Sequence, residues 1–117
     1  MARSISFQDA LIANEVVTQN VDVNNSEFNP LGQTSRVSVF AAATTAGVAG
    51  RGVMLTVKLA TDVHCSDFIV PVAAAVSTRD HLVSTGAGGR GSKITIGYRN
   101  EGTATPTLNC YVVIEPL

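Results

Sequence analysis

The stretch Thr107-Leu108-Asn109-Cys110-Tyr111-Val112-Val113-Ile114-Glu115 decides the fold class. Leu108, Cys110, Val112 and Ile114 recur at every second position, a period that puts all four on one face of a β-strand and scatters them around a helix. The same period recurs upstream. Ile94, Ile96 and Tyr98 follow it, as do Phe68, Val70 and Val72; Val53, Leu55, Val57 and Leu59 alternate with Met54, Thr56 and Lys58. Arg36-Val37-Ser38-Val39 continues the pattern, and Val17, Val21 and Val23 occupy odd positions. These runs read as short strands with one wet face.

Turn-forming residues separate them: Asn24-Asn25-Ser26, Asn29-Pro30-Leu31-Gly32, Gly47 to Gly52, Ser77-Thr78-Arg79-Asp80, Gly86 to Gly91 and Asn100-Glu101-Gly102. Val, Thr and Ile are abundant while Glu and Lys are scarce, so propensity agrees with pattern. Seven or eight antiparallel strands in 117 residues cover their apolar face only with a second layer or by closure. The expectation is an all-β protein, an antiparallel β-sandwich with a jelly roll as its leading topology. An immunoglobulin-like sandwich is the rival, but no Trp lies between Cys65 and Cys110.

The length suits one domain. Residues 14–117 are expected to form the β-sandwich, preceded over 1–13 by an N-terminal arm or a short helix. Ser6-x-x-Asp9 resembles a capping box and Phe7 with Leu11 falls at i, i+4, whereas Ile5 and Phe7 alternate as in an extended segment. Both readings stand at this point. Ala41 to Ala46 and Ala73 to Val76 are small-residue stretches that suit tight sheet packing or contact with a neighbouring chain.

Charged residues make up 15% of the chain against an average of about 25%, while hydrophobic residues reach an ordinary 45%. Eight basic and nine acidic residues give a net charge of -1 and no electrostatic footprint for nucleic acid or anionic membrane. Neither partner is expected. A near-neutral surface of Thr, Ser, Asn, Gly and Ala is weakly protected against association, which favours a symmetric homo-oligomer. No stretch approaches the ~18 apolar residues that cross a bilayer. Gln8 and Asp9 interrupt the apolar positions of the N-terminus, so a cytoplasmic site of synthesis is expected.

Candidate chemistry is sparse. Gly86-Ala87-Gly88-Gly89-Arg90-Gly91 matches the dinucleotide fingerprint in letters, but that motif needs a helix after it, and the residues that follow, Lys93 to Tyr98, read as a strand. A phosphate loop requires Lys directly after its last Gly, and Ser92 intervenes. An exposed, flexible loop tip is the expectation instead. His64, Cys65, Asp62 and Asp67, with Asp80 and His81 further on, supply too few ligands at zinc spacing. Two His and no GxSxG elbow leave nucleophilic catalysis unsupported. No enzyme activity, catalytic residue, metal or cofactor is expected. Arg51 and Arg90, each followed by Gly, are candidate loop-tip contacts, with a role in solubility as the alternative.

The ensemble resembles the small capsid decoration, or cement, proteins of tailed bacteriophages. It consists of the segment Met1 to Ala13, a Val/Thr/Ala-rich β body of low charge, and two last strands, Ser92 to Tyr98 and Thr107 to Glu115, separated by Arg99-Asn100-Glu101-Gly102-Thr103. The resemblance covers most of the chain and rests on no diagnostic motif. It implies a compact jelly roll, trimeric in many such families, that sits on the outer face of the virion capsid and clamps neighbouring copies of a major capsid protein. It also makes Ile5, Phe7, Leu11 and Ile12 candidate anchors of an interface arm, with closure of the protein's own core as their other role. A self-assembling viral coat protein is the second reading, weakened because Arg3 is the only cation of the first thirteen residues. A cupin- or lectin-like module for carbohydrate or another small ligand is the third, disfavoured by the shortage of His and of aromatic residues, with no Trp and Tyr only at 98 and 111.

Overall fold

The computed structural model describes residues 3–11, 16–20, 31–44, 53–100 and 106–117. They contain eight strands and no helix: β1 (Arg3–Ala10), β2 (Val16–Asn20), β3 (Ser35–Ala43), β4 (Val53–Leu59), β5 (Asp62–Ile69), β6 (Leu82–Gly88), β7 (Ile94–Asn100) and β8 (Thr107–Pro116). One sheet has the order β1-β8-β3-β6 and the other β2-β7-β4-β5, with every ladder antiparallel. The pairs β1·β8, β2·β7, β3·β6 and β4·β5 are nested in sequence and fall alternately in the two sheets. That is a long antiparallel ribbon rolled into two layers, the jelly roll.

The alternation in β8 is what closes the first sheet. Leu108, Cys110, Val112 and Ile114 are buried, and β8 is hydrogen-bonded on both edges, to β1 from Arg3↔Ile114 to Ala10↔Thr107 and to β3 from Ser35↔Pro116 to Ala43↔Leu108. Opposite them, Val53, Leu55, Val57 and Leu59 of β4 and Ile94, Ile96 and Tyr98 of β7 line the second sheet's inner face. The interior is aliphatic and built from strands that are far apart in the chain.

Residues 3–10 form a strand, so the helical alternative for the N-terminal segment does not hold. Ile5 lies opposite Val112 and is 7% exposed, and a helix would forfeit both that burial and the β8 ladder. Two further strands differ from expectation. β5 runs over the polar stretch from Asp62, and the alternation at Phe68, Val70 and Val72 falls at its end and beyond, where Val72 makes one parallel bridge to Ala43. β6 extends to Gly88 and takes in the first half of the glycine cluster. The last two strands, close in sequence, lie in different sheets. Val21, Val23 and the turns expected at Asn24 to Gly32 and Gly47 to Gly52 lie wholly or mostly outside the described residues.

The two layers share a polar tie. The Tyr98 hydroxyl on β7 donates to Asp9 Oδ2 on β1 at 2.5 Å, and the Tyr98 ring stacks on Phe7 with centroids 6.2 Å apart. A hydroxyl bonded to an ionised acceptor contributes more than a neutral pair. Tyr98→Phe keeps the ring contact and removes the donor, so a loss of about 1–3 kcal/mol in denaturant-derived stability is expected.

The β4–β5 hairpin turns in two residues, Ala60 and Thr61, between the paired Leu59 and Asp62. Ala60 sits at φ 56°, in the left-handed region where a Cβ is penalised and where tight hairpin turns favour Gly or Asn. Ala60→Gly is therefore expected to stabilise the protein by about 1 kcal/mol, read as a rise of several degrees in the melting midpoint.

Candidate functional site

Strands β5 and β6 are the free edges of their two sheets on the same side of the sandwich, joined by residues 70–81. They approach closely: a Cβ added at Gly86 of β6 would meet the His64 ring of β5, which would have to move aside. Gly88 faces Leu31, so these two glycines serve packing rather than phosphate binding.

Among the described residues, this edge carries most of the large exposed apolar side chains. Val63, Phe68 and Ile69 of β5, Val72 of the connection and Leu82 of β6 are 54, 38, 54, 55 and 47% exposed. Singly exposed apolar residues are ordinary, and the register divides these between two faces at the edge: Val63 and Ile69 pair with the outward Lys58 and Met54 of the second sheet, Leu82 with the outward Phe40 of the first. The edge is shaped against simple strand addition. β5 departs from regular register between Leu55 and Lys58 of its partner β4, and Asp67 adopts φ 52°. Asp67 is held there by its own N–H donating to Thr56 Oγ1 at 3.1 Å and by Arg99 donating to Asp67 Oδ1 at 2.7 Å. Bulges and charged residues are common guards of an open edge.

The residues singled out in the sequence take separate places. Ile5 and Leu11 are buried in the protein's own core, Phe7 packs against that core beside Tyr98, and Ile12 lies outside the described residues. Arg90 is exposed on the turn between β6 and β7, and Arg51 lies outside the described residues. That turn is anchored rather than loose: Gly91 N–H donates to the Leu31 carbonyl at 2.8 Å, Leu31 N–H to that of Ser92 at 2.9 Å, and Gly91 takes φ 87°. A strand, β7, follows it.

His81 braces the turn before β6, its Nδ1 accepting from Ser77 N–H at 2.9 Å. Among the described residues no three His, Cys, Asp or Glu side chains gather as metal ligands would. Cys65 and Cys110 are free thiols in opposite sheets, the first half-buried and the second buried. The surface at Val63, Ile69 and Leu82 was not anticipated, although the adjacent pair Phe68-Ile69 signals it. On a strand, neighbours face opposite ways and one core cannot bury both.

No family model, curated protein or solved structure matches the chain. The β5–β6 side therefore stands on its own geometry. What it offers is apolar contact at an irregular edge, suited to holding another protein surface.

Burial pushes the Cys110 thiol from its ordinary value of 9.0 up to about 12. The unfolded chain then ionises first, so this group's contribution is complete below pH 9.0 and is lost as the pH rises toward about 12. Denaturant unfolding at about pH 8 and about pH 10.5 should show the wild type losing more stability between them than Cys110→Ala does.

Proposed function

We propose that the protein is a virion structural protein, a capsid decoration protein that acts by binding rather than catalysis. The observation that carries this reading is the exposure of the apolar residues Val63, Phe68, Ile69, Val72 and Leu82 along the β5–β6 edge of a jelly roll whose chain is only 15% charged. Jelly rolls serve capsids, lectins and cupins alike. The shortage of metal-ligand clusters among the described residues offers no support for cupin chemistry.

In this reading the protein is made in the host cytoplasm, assembles as a homo-oligomer, with a trimer favoured, and binds the major capsid protein on the outer surface of the shell. Anything that binds only the assembled shell stabilises it by mass action. With Ile5 and Leu11 committed to the internal core, the contact is assigned to the β5–β6 side rather than to an N-terminal arm. The irregular backbone of β5 makes side-chain burial the mode of contact. A net charge of -1 supports neither genome nor membrane binding.

Light scattering of the purified protein and electron microscopy with preformed shells test the proposal. A small discrete oligomer that coats shells is expected. The double variant Ile69→Lys and Val72→Lys, at two exposed positions, is expected to keep the β circular dichroism spectrum while weakening association at least tenfold, a loss of about 1.4 kcal/mol or more. Closed shells formed by the protein alone would instead indicate a coat protein. A monomer indifferent to shells would overturn both.

A further inference from the structure

The connection between β5 and β6, residues 70–81, crosses from the second sheet to the first and is fixed to the end of β3 by two anchors of different chemistry. The first is all backbone: Ala43 N–H donates to the Pro71 carbonyl and Ala73 N–H to the Ala43 carbonyl, both at 2.9 Å. Nothing in it titrates. The second is the turn Ser77-Thr78-Arg79-Asp80-His81. His81 joins it to the sheet, its carbonyl accepting from Ala41 N–H at 3.1 Å, while its own N–H donates to the Ser77 carbonyl at 3.0 Å. Ser77 Oγ accepts from the Arg79 and Asp80 N–H groups at 3.2 and 3.3 Å, and Ser77 N–H donates to His81 Nδ1 at 2.9 Å.

Of these bonds only the last depends on a protonation state. To accept, Nδ1 must be bare, which fixes the neutral ring as the tautomer that carries its proton on Nε2. An imidazolium has hydrogen on both nitrogens and no acceptor, so no rotation of the ring restores the bond. Protonation sets two donors against each other at the Ser77 N–H. The open turn relieves that conflict, and its population therefore rises as the pH falls through the imidazole range and is constant above it.

The neighbouring groups leave this balance to His81 itself. Arg79 and Asp80, on the same turn, are 91 and 69% exposed and lie 3.9 Å from each other. From Phe40 to Ala43 of β3 and from Leu82 to Gly88 of β6, no side chain titrates. Facing Val76 and Thr78 across the outer side of the first sheet, β8 contributes Cys110 and Tyr111, a thiol and a phenol that are uncharged in acid. The other imidazole, His64, lies against Gly86, further along β6.

We infer that Ser77 and His81 form an acid-released catch: protonation of His81 frees the Ser77 end of the connection while the Ala43 anchor and the sheet pairing stay closed. Val72 and Leu82 stand before and after the catch and are exposed, so its release changes the surface that this edge presents in an acidic medium. The catch requires no partner and does not rest on the capsid reading.

The full chain, labelled with 15N, is titrated by NMR from about pH 7.5 to about pH 5.0. At the neutral end the His81 ring nitrogens should report the Nε2–H tautomer. As the ring titrates, the Ser77 amide proton should shift along the same curve. Its protection against hydrogen exchange, corrected for the intrinsic rate, should fall about fivefold or more, the worth of one net hydrogen bond, while Ala73 N–H keeps its own. His64→Gln should leave this response intact. His81→Phe, which lacks the acceptor, should show the acid pattern already at neutral pH; if that variant does not fold, the wild-type titration decides alone. A neutral His81 ring protonated on Nδ1, a Ser77 amide that does not follow the His81 titration, or an equal loss of protection at Ala73 would overturn the inference.

Discussion

The structure depends on one ladder arrangement, the insertion of β8 between β1 and β3. These three strands come from opposite ends of the chain, and β8 supplies hydrogen-bond partners to both neighbours along its length. Its inward residues, Leu108, Cys110, Val112 and Ile114, are also core residues, so backbone pairing and side-chain burial are satisfied in the same register. A slip of one residue would turn all four to the outer face and bring Asn109 and Tyr111 inward. The aliphatic interior thus fixes which side chains appear on the outside.

The second sheet answers the first through Tyr98. Its ring and hydroxyl reach Phe7 and Asp9 across the layers, giving a mostly aliphatic interface one directional contact. Directional contacts define how two sheets sit on each other where nonpolar contact alone is permissive. Among the described residues, the β5–β6 side has no comparable partner. There the sandwich ends in apolar side chains and in an edge whose regularity is broken at Asp67.

Strands buried on one face were legible from period two alone: β3, β4, β7 and β8 each show it plainly, and their inward residues form most of the core. β5 and β6 were not, for a physical reason. An edge strand exposed on most of its surface has no inner set of side chains to enforce alternation, and β5 is exposed or half-buried throughout. The turn before it carries Ala60 and Thr61 rather than Gly or Asn, so the chain reversal leaves little mark in the residues. The glycines of β6 look like a loop in sequence, yet Gly86 lies in a strand against the His64 ring of another strand. Ile5 and Leu11 were recognisable as important apolar residues, but only the β1·β8 ladder decides that they serve this chain's interior.

The nested order of the strands has a consequence for biosynthesis. During translation β1 and β3 leave the ribosome long before Thr107–Pro116, the segment that lies between them, so the edges that face it await a partner until β8 has been made. Sandwiches dominated by such distant pairings fold slowly and expose unpaired edges meanwhile. Sparse charge gives the nascent chain little electrostatic repulsion against its copies on a polysome. Sparse charge and unpaired edges together leave the partly made chain prone to association.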